Sequence, residues 1–163
     1  MELAIIRAQI PREAEKLAKF DRMTFFHKVD HSVPSYFRQY GLRSFWLIQK
    51  RKRIGACCVK HHATFSTDKY VFSKRAYGTL YITSTAVLPQ FRQHGFGAVL
   101  KAWQIAYART HGFTKIVTNI RVSNTASIRL NLKFGFTIVD QFEKCYPDGE
   151  NAVIMELDLT PST

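Results

Sequence analysis

The stretch that decides the fold begins LYITSTAV (Leu80–Val87) and continues with PQFRQHGFG (Pro89–Gly97). The first segment is typical of a strand, the second is a polar loop with two glycines, and a helical pattern runs from Ala98 to about His111. The first turn of a helix carries unpaired backbone N–H groups and a partial positive charge. Glycine lets that backbone approach an anion closely. Arg92-x-x-Gly95-x-Gly97 therefore predicts a phosphate cradle.

Two nucleotide-binding motifs fit this loop poorly. A P-loop ends in Gly-Lys-Ser/Thr, whereas Gly97 is followed by Ala98 and Val99. The dinucleotide fingerprint needs a third glycine where Leu100 stands, and an acidic residue about 20 positions later. The segment Ile116–Ile120 in that region is apolar and neutral. The sequence therefore gives little support to either a P-loop or a dinucleotide-binding site.

Composition limits the class of protein. A chain of 163 residues predicts one domain spanning residues 1–163. The net charge of +12 favours anionic partners, such as coenzyme phosphates, acidic peptides, nucleic acid or a membrane surface. No apolar run reaches membrane-spanning length, and the first residues do not resemble a signal peptide. The three cysteines form no disulfide framework, so we expect a cytoplasmic protein without a membrane partner.

The order of elements predicts an α+β fold with a mixed, mostly antiparallel central sheet of about seven strands and flanking helices. One strand–helix–strand unit implies a right-handed parallel crossover. On its helix, Leu100, Trp103 and Tyr107 are expected to face the core, with Lys101, Gln104 and Ala108 opposite. The segment Ser66–Tyr77 is either a loop or an extended strand end. The expected strands are Leu3–Arg7, Ser44–Gln49, Ile54–Phe65, Leu80–Val87, Lys115–Ile120, Thr137–Cys145 and Ala152–Leu159; the expected helices are Pro11–His27, Ser32–Tyr40, Ala98–His111 and Asn124–Gly135.

A second motif gives the loop its context. Arg92–Gly97 matches the pattern Q/R-x-x-G-x-G/A, and NTASIRLNLKFGF (Asn124–Phe136) resembles the pattern N-x-x-A/S/M…L-G-F, with Phe134 in the Leu position. Together they resemble the GNAT superfamily of acyl-CoA-dependent N-acyltransferases. The resemblance implies that the parallel strands Leu80–Val87 and Lys115–Ile120 splay apart and that acyl-CoA enters the opening.

The resemblance also assigns the cofactor contacts. The thioester carbonyl is expected near the N–H of Ala86 or Val87, and the pyrophosphate on the backbone of the cradle. Asn124, Ser127 and Asn131 form one polar stripe on the later helix. The alternative interpretation of Asn124 is a simple helix N-cap. The cofactor-binding set is Ala86, Val87, Arg92, Gln93, His94, Gly95, Phe96, Gly97, Ala98, Asn124, Ser127 and Asn131.

The catalytic groups depart from one subgroup of the family. N-terminal protein acetyltransferases commonly place Tyr at the position of Asn131 and Glu at that of Asn119. Asparagine serves as neither acid nor base in the normal pH range. Tyr146 and Tyr81 are therefore substitute acids, and a water relay is a substitute base; the catalytic candidates are Tyr146, Asn131 and Asn119. His61 and His62 have a suitable intrinsic pKa but are interpreted as structural or solvated.

The acceptor site rests on the resemblance alone. It implies that the loop between the first helices lines the acceptor pocket, which gives Phe26, His27, Asp30 and His31 as substrate-binding candidates, together with Tyr81. Two histidines and an aspartate in that loop lack a fourth ligand nearby, so no metal is expected.

The sequence thus predicts a transferase that moves the acetyl group of acetyl-CoA to a primary amine by direct attack in a ternary complex. The ending Tyr146–Ala152 resembles the hairpin of peptide and protein N-acetyltransferases, whereas the two asparagines favour a small-molecule amine. The alternatives are a non-catalytic acyl-CoA sensor and a basic nucleic-acid-binding module. Nucleic acid is disfavoured because no recognised motif is present and the cations look scattered; a homodimer is allowed.

Three further features have plain structural interpretations. At least one of Cys57 and Cys58 should lie in the core. Asp148 and Glu150 are interpreted as turn residues. The run Lys50–Arg53 is interpreted as a solvated turn.

Overall fold

A computed structural model describes residues 2–24, 42–68 and 73–162. Within these residues, seven strands form one sheet in the order β1-β2-β3-β4-β5-β7-β6, with three α-helices. None of the described helices is long and apolar enough to cross a membrane. The elements are β1 Leu3–Arg7, α1 Ala14–Thr24, β2 Leu42–Gln49, β3 Lys52–Phe65, β4 Ser73–Val87, a 3₁₀ turn Pro89–Phe91, α2 Phe96–Thr110, β5 Lys115–Arg121, α3 Thr125–Lys133, β6 Thr137–Phe142 and β7 Ala152–Asp158.

The strand pairing confirms the predicted fold class. β4 and β5 pair in parallel from Thr79–Lys115 to Ile82–Thr118, and both strands continue beyond this pairing. The pairs β1–β2, β2–β3, β5–β7 and β6–β7 are antiparallel. β4 begins at Ser73, so the extended alternative was right for Ser73–Tyr77. The expected helix at Ser32–Tyr40 and the end of the first helix lie outside the described residues.

The chain divides into two compact units. Unit 1 comprises Met1–Lys60 and Thr83–Leu100, and unit 2 comprises His61–Ile82 and Lys101–Thr163. The expectation of a single domain stays a prediction.

The core of unit 1 forms between α1 and the strands β2 and β3. Phe20 packs edge-on against Trp46 with ring centroids 5.5 Å apart. Six consecutive residues of β3, Ile54–Val59, are buried, so both Cys57 and Cys58 lie in the core. A Cβ on Gly55 would come within 3.1 Å of the Ala86 carbonyl oxygen, so glycine permits close packing against β4 at that point.

In unit 2 the buried face of α2 differs from the prediction. Lys101, Gln104 and Ala108 are buried, whereas Trp103 and Tyr107 are only half-buried. The predicted orientation of these residues was therefore wrong. Helical spacing puts Lys101, Gln104 and Ala108 on one face, and the Lys101 ammonium lies 5.0 Å from the Phe136 ring centroid. This cation–π contact and the apolar lysine stem let a residue that looked exposed enter the interior.

Candidate active site

The glycine loop of unit 1 is fixed by an arginine. The Arg92 side chain donates from Nε to the Val87 carbonyl (3.0 Å) and from Nη2 to the Thr24 carbonyl (2.8 Å). It thereby ties the loop to the end of β4 and to the last residue of α1. The His94 Nδ1 lies 2.6 Å from the Arg92 carbonyl oxygen. The guanidinium thus has a structural use within the protein, which the sequence motif did not indicate.

The backbone of this loop fits an anion. Gln93 and Gly95 adopt left-handed conformations, with φ of 62° and 84°. The first hydrogen bond of α2 runs from the Val99 N–H to the Gly95 carbonyl (3.1 Å). Among the described residues, no backbone acceptor is found for the N–H groups of Gly95–Ala98. These donors, at the positive end of the α2 dipole, match the oxygens of a diphosphate.

Glycine at position 95 keeps the loop open. A Cβ built there meets no atom within 4 Å, so it would project into open space. Phe96 begins α2 and is buried, which anchors the helix start beneath the loop. The residues present therefore fit the diphosphate of an acyl-CoA.

A buried hydroxyl on β4 was missed by the sequence analysis. Ser84 is buried, and its Oγ has no hydrogen-bond partner among the described residues. It lies two residues before Ala86, which is also buried. No sequence signal separates this serine from the hydroxyl residues beside it, Thr83 and Thr85.

In unit 2, three of the sequence-selected residues form one hydrogen-bonded chain. The Tyr81 hydroxyl donates to Asn119 Oδ1 (2.6 Å), and Asn119 Nδ2 donates to the Tyr146 hydroxyl oxygen (3.1 Å). The register explains the first contact: Tyr81 pairs with Val117, and Asn119 lies two residues further on the same face of β5. Because the Tyr146 oxygen accepts from Asn119, its own hydrogen is left for a different acceptor.

Arg121 contacts Tyr146, the last residue of this hydrogen-bonded set, and fixes its position. Arg121 was not selected from the sequence. Its guanidinium lies 4.0 Å from the Tyr146 ring centroid, and its Nη1 lies 2.8 Å from both Asp148 Oδ2 and Glu150 Oε2. Glu150 Oε1 accepts from the Ser123 N–H (2.9 Å). Asp148 and Glu150 are thus more than turn residues. Period-two spacing from Asn119 could have pointed to Arg121.

The carboxylate of Glu150 makes this arrangement pH-dependent. Hydrogen bonds from Ser123, and then from Arg121, lower the pKa of Glu150 below its ordinary value of 4.5 although burial opposes them. A lowered pKa means stability that is fully present above the ordinary value and lost as pH falls through the folded-state pKa.

We expect Glu150→Gln to lower the free energy of unfolding at pH 7 by about 1 kcal/mol, because the neutral amide oxygen accepts a weaker hydrogen bond from the Arg121 guanidinium than the carboxylate does. Denaturant unfolding of both proteins should show this difference shrinking as the pH falls below 4.5. Asp140→Gln is a control at an exposed carboxylate in β6. A constant difference at every pH would contradict the role of the Glu150 charge.

The polar residues along α3 differ in their exposure to solvent. Asn124 is exposed and caps the helix, accepting from the Ser127 N–H (3.2 Å), so its capping interpretation is confirmed. Asn131 is only 2% exposed; its Nδ2 donates to the Ser127 carbonyl (2.8 Å). Asn131 Oδ1 is buried and has no partner among the described residues. A buried acceptor without a donor is costly, which suits a residue that receives a hydrogen bond from a ligand.

The strand histidines have structural partners. His61 Nε2 lies 2.8 Å from the Tyr107 hydroxyl, and its ring packs edge-on against Phe113. His62 Nδ1 accepts from the Gly78 N–H (3.1 Å), and its ring stacks on Tyr77. The candidates Phe26, His27, Asp30 and His31 lie outside the described residues. No metal-binding group of three or more His, Cys, Asp or Glu side chains occurs in the described part of the chain.

The chain is similar to proteins of known family. Residues 14–136 match the model of the acetyltransferase (GNAT) family. The N-alpha-acetyltransferase of Sulfurisphaera tokodaii is 28% identical over 146 residues, covering 89% of this chain and 74% of the relative. That of Sulfolobus acidocaldarius is 30% identical over 134 residues, covering 78% of this chain and 79% of the relative.

Among solved structures, the ribosomal-protein-S18-alanine N-acetyltransferase from Escherichia coli shares the fold, with a TM-score of 0.75 and 19% identity over 99% of this chain and 97% of that chain. The family match covers most of the sequence and includes both motifs. The chain therefore belongs to the acetyltransferase (GNAT) family and is an acetyl-CoA-dependent acetyltransferase that acts on an amine.

Proposed function

We propose that the acceptor is the α-amino group at the N-terminus of a protein or peptide. The choice of an α-amine is carried by the similarity to named relatives, and the catalytic part of the proposal rests on the Tyr81–Asn119–Tyr146 chain, which Arg121 fixes to the turn before β7. Two relatives that cover most of the chain are named N-alpha-acetyltransferases. The net charge of +12 argues against a polycationic acceptor.

The cradle residues would hold the co-substrate through backbone. In unit 1, the N–H groups of Gly95–Ala98 would donate to the diphosphate of acetyl-CoA. In unit 2, Asn131 Oδ1 would accept a hydrogen bond from an amide N–H of a ligand. Acetyl-CoA supplies the activated acetyl thioester. The backbone N–H of Ala86 or Val87 would stabilise negative charge on the acetyl oxygen.

Tyr146 is the proposed general acid. Asn119 donates to its oxygen, so the phenolic proton is directed elsewhere, where it can be given to the leaving thiolate of CoA. Tyr81 in turn fixes the orientation of the Asn119 amide. Since neither asparagine can take a proton, the ammonium form of the acceptor would lose one proton to water before it attacks. As the C–N bond forms and the C–S bond breaks, the nitrogen would lose a second proton, which would return through water to Tyr146 and restore its phenol. The proposal includes direct attack of the amine on the thioester in a ternary complex, with none of these residues acting as an acyl carrier.

The proposal includes a cytoplasmic location. Cys57, Cys58 and Cys145 are free thiols, which suits a reducing compartment. A homodimer is compatible with the proposal and would be visible by sedimentation.

The acceptor is tested with three amines: a peptide with a free N-terminus and an internal lysine, the same peptide with a blocked N-terminus, and a small diamine. Each is incubated with acetyl-CoA, and tandem mass spectrometry locates the acetyl group. We expect acetylation at the α-amine of the first peptide and none of the second. Faster modification of the diamine would transfer the assignment to small-molecule amines, and modification of the lysine would exclude α-amine selectivity.

A further inference from the structure

A cluster of positive charge in unit 1 has no part in the acetyl-transfer site. It comprises six exposed cations, which we call the basic face: Arg12, Lys16, Lys19, Lys50, Arg51 and Lys52. None of them forms an ion pair with a carboxylate of the described residues. Lys16 and Lys19 are three residues apart in α1 and share one side of that helix, and Arg12 lies in the turn just before it.

A salt bridge joins the two halves of the basic face. Arg53, which follows the turn between β2 and β3, places its Nη2 2.6 Å from Glu13 Oε1 at the start of α1. Glu13 Oε2 also accepts from the Gln9 N–H (2.8 Å), and the Arg53 guanidinium lies over the Trp46 ring. The salt bridge thereby holds the start of β3 against the start of α1, and the exposed cations Lys50, Arg51 and Lys52 immediately precede Arg53 in the sequence. Arg53 also lines one cavity together with Lys16 and Lys19 of α1. Lys50, Arg51 and Lys52 are exposed at this turn, as predicted, and Arg53 is the member of the run that is tied to α1.

The backbone of the turn adds an independent observation. Gln49 pairs with Lys52, so Lys50 and Arg51 form a two-residue hairpin loop. Both are left-handed, with φ of 46° and 66°. Such a loop favours Asn followed by Gly, and other residues are strained in it. The two long cationic side chains therefore occupy positions at which Asn and Gly would cause less backbone strain. Strain of this kind indicates that the side chains have a function.

We propose that the basic face binds the phosphate backbone of nucleic acid, through charge and without reading sequence. Arginine and lysine are the residues that contact phosphates, and arginine can do so through two donors. A protein partner fits less well, because lysine is depleted at protein interfaces and four of the six cations are lysines. A membrane also fits less well, because α1 buries Leu17 and Phe20 and has no broad apolar side facing outward.

The test removes the charge of the turn without harming the fold. Lys50→Asn combined with Arg51→Gly creates the favoured loop sequence, so the melting temperature should not fall. The matched control is Lys74→Gln with Arg75→Gln, at two exposed cations in unit 2. Both variants have a net charge of +10, since 12 − 2 = 10. Neither pair belongs to the proposed catalytic or coenzyme site, so acetyl transfer should be unchanged.

Binding is measured by fluorescence anisotropy with labelled single-stranded RNA and duplex DNA over a range of salt concentrations. For single strands, the slope of log affinity against log salt should fall by about 1.4 in the turn variant, from two contacts at about 0.7 each. Affinity at low salt should fall roughly tenfold, while the control behaves as the parent protein. Comparing the RNA and DNA arms identifies the form of backbone that is bound.

Equal losses in both variants would show that net charge and not the basic face is responsible, which overturns the proposal. The proposal is also overturned if the parent protein binds neither RNA nor DNA. Polyglutamate or phosphatidylserine vesicles that bind more tightly than RNA and DNA at equal charge would reassign the basic face to an acidic protein or a membrane.

Discussion

Gly95→Glu is expected to abolish measurable binding of acetyl-CoA. The Cβ at this position would project into open space, so the glutamate side chain reaches the place proposed for the diphosphate. Like charges brought together cost several kcal/mol, which corresponds to a loss of at least about 100-fold in affinity. The left-handed φ of 84° adds backbone strain to the loop that presents the N–H donors. Isothermal titration calorimetry with acetyl-CoA measures the effect.

A matched variant separates charge at the cradle from strain. Gly112 follows α2, has a φ of 75°, and a Cβ there also meets no atom within 4 Å. Gly112→Glu therefore carries the same change of charge and the same kind of strain away from the loop. It should bind acetyl-CoA as the parent protein does, with a similar loss of melting temperature. Unchanged affinity in Gly95→Glu, or equal losses in both variants, would refute the assignment of the cradle.

Tyr146→Phe is expected to lower kcat by about 10²–10⁴-fold, the usual contribution of a general acid. The ring and its contact with Arg121 remain, so the KM values for acetyl-CoA and the acceptor should change little. Loss of the hydroxyl leaves Asn119 Nδ2 without this acceptor, so the melting temperature is measured in parallel. Steady-state kinetics with the best acceptor from the peptide test gives the rate.

Tyr77→Phe is the control, because Tyr77 is 85% exposed and its ring stacks on His62. It should retain the full rate. The pH profile gives a second readout: the alkaline limb of kcat should be altered in Tyr146→Phe and kept in Tyr77→Phe. A normal kcat in Tyr146→Phe would remove Tyr146 as the acid and leave water to protonate the thiolate.

The strands and the glycine loop could be predicted because local patterns determine them. Leu3–Arg7 was predicted with its observed bounds, and the glycine loop leads into a helix as expected, although α2 begins at Phe96 and not at Ala98. The orientation of α2 could not be predicted from hydropathy, since the polar residues Lys101 and Gln104 are buried. A cation–π partner such as Phe136 is 35 positions away in sequence and has no local signal.

The candidate site was also predicted only in part, and the part that was missed again depends on contacts between distant residues. Asn119 was selected from a family position, and Tyr81 and Tyr146 were selected as substitute acids; the structure joins the three into one hydrogen-bonded chain. Arg121 was missed because its role depends on partners in the later turn, Asp148 and Glu150. Arg92 was assigned to the coenzyme, yet its side chain also bonds to Thr24, 68 residues earlier in the chain. Tertiary contacts of this kind are absent from a single sequence.

The central claim, that this chain transfers an acetyl group from acetyl-CoA to an amine, is tested most directly by the stoichiometry of the reaction. Released CoA thiol and acetylated peptide are measured together in time, with a thiol reagent and mass spectrometry. We predict one acetylated amine for each thiol released, and no thiol release above background without the peptide. Thiol release that does not depend on an acceptor, or no reaction with any amine despite tight acetyl-CoA binding, would contradict it.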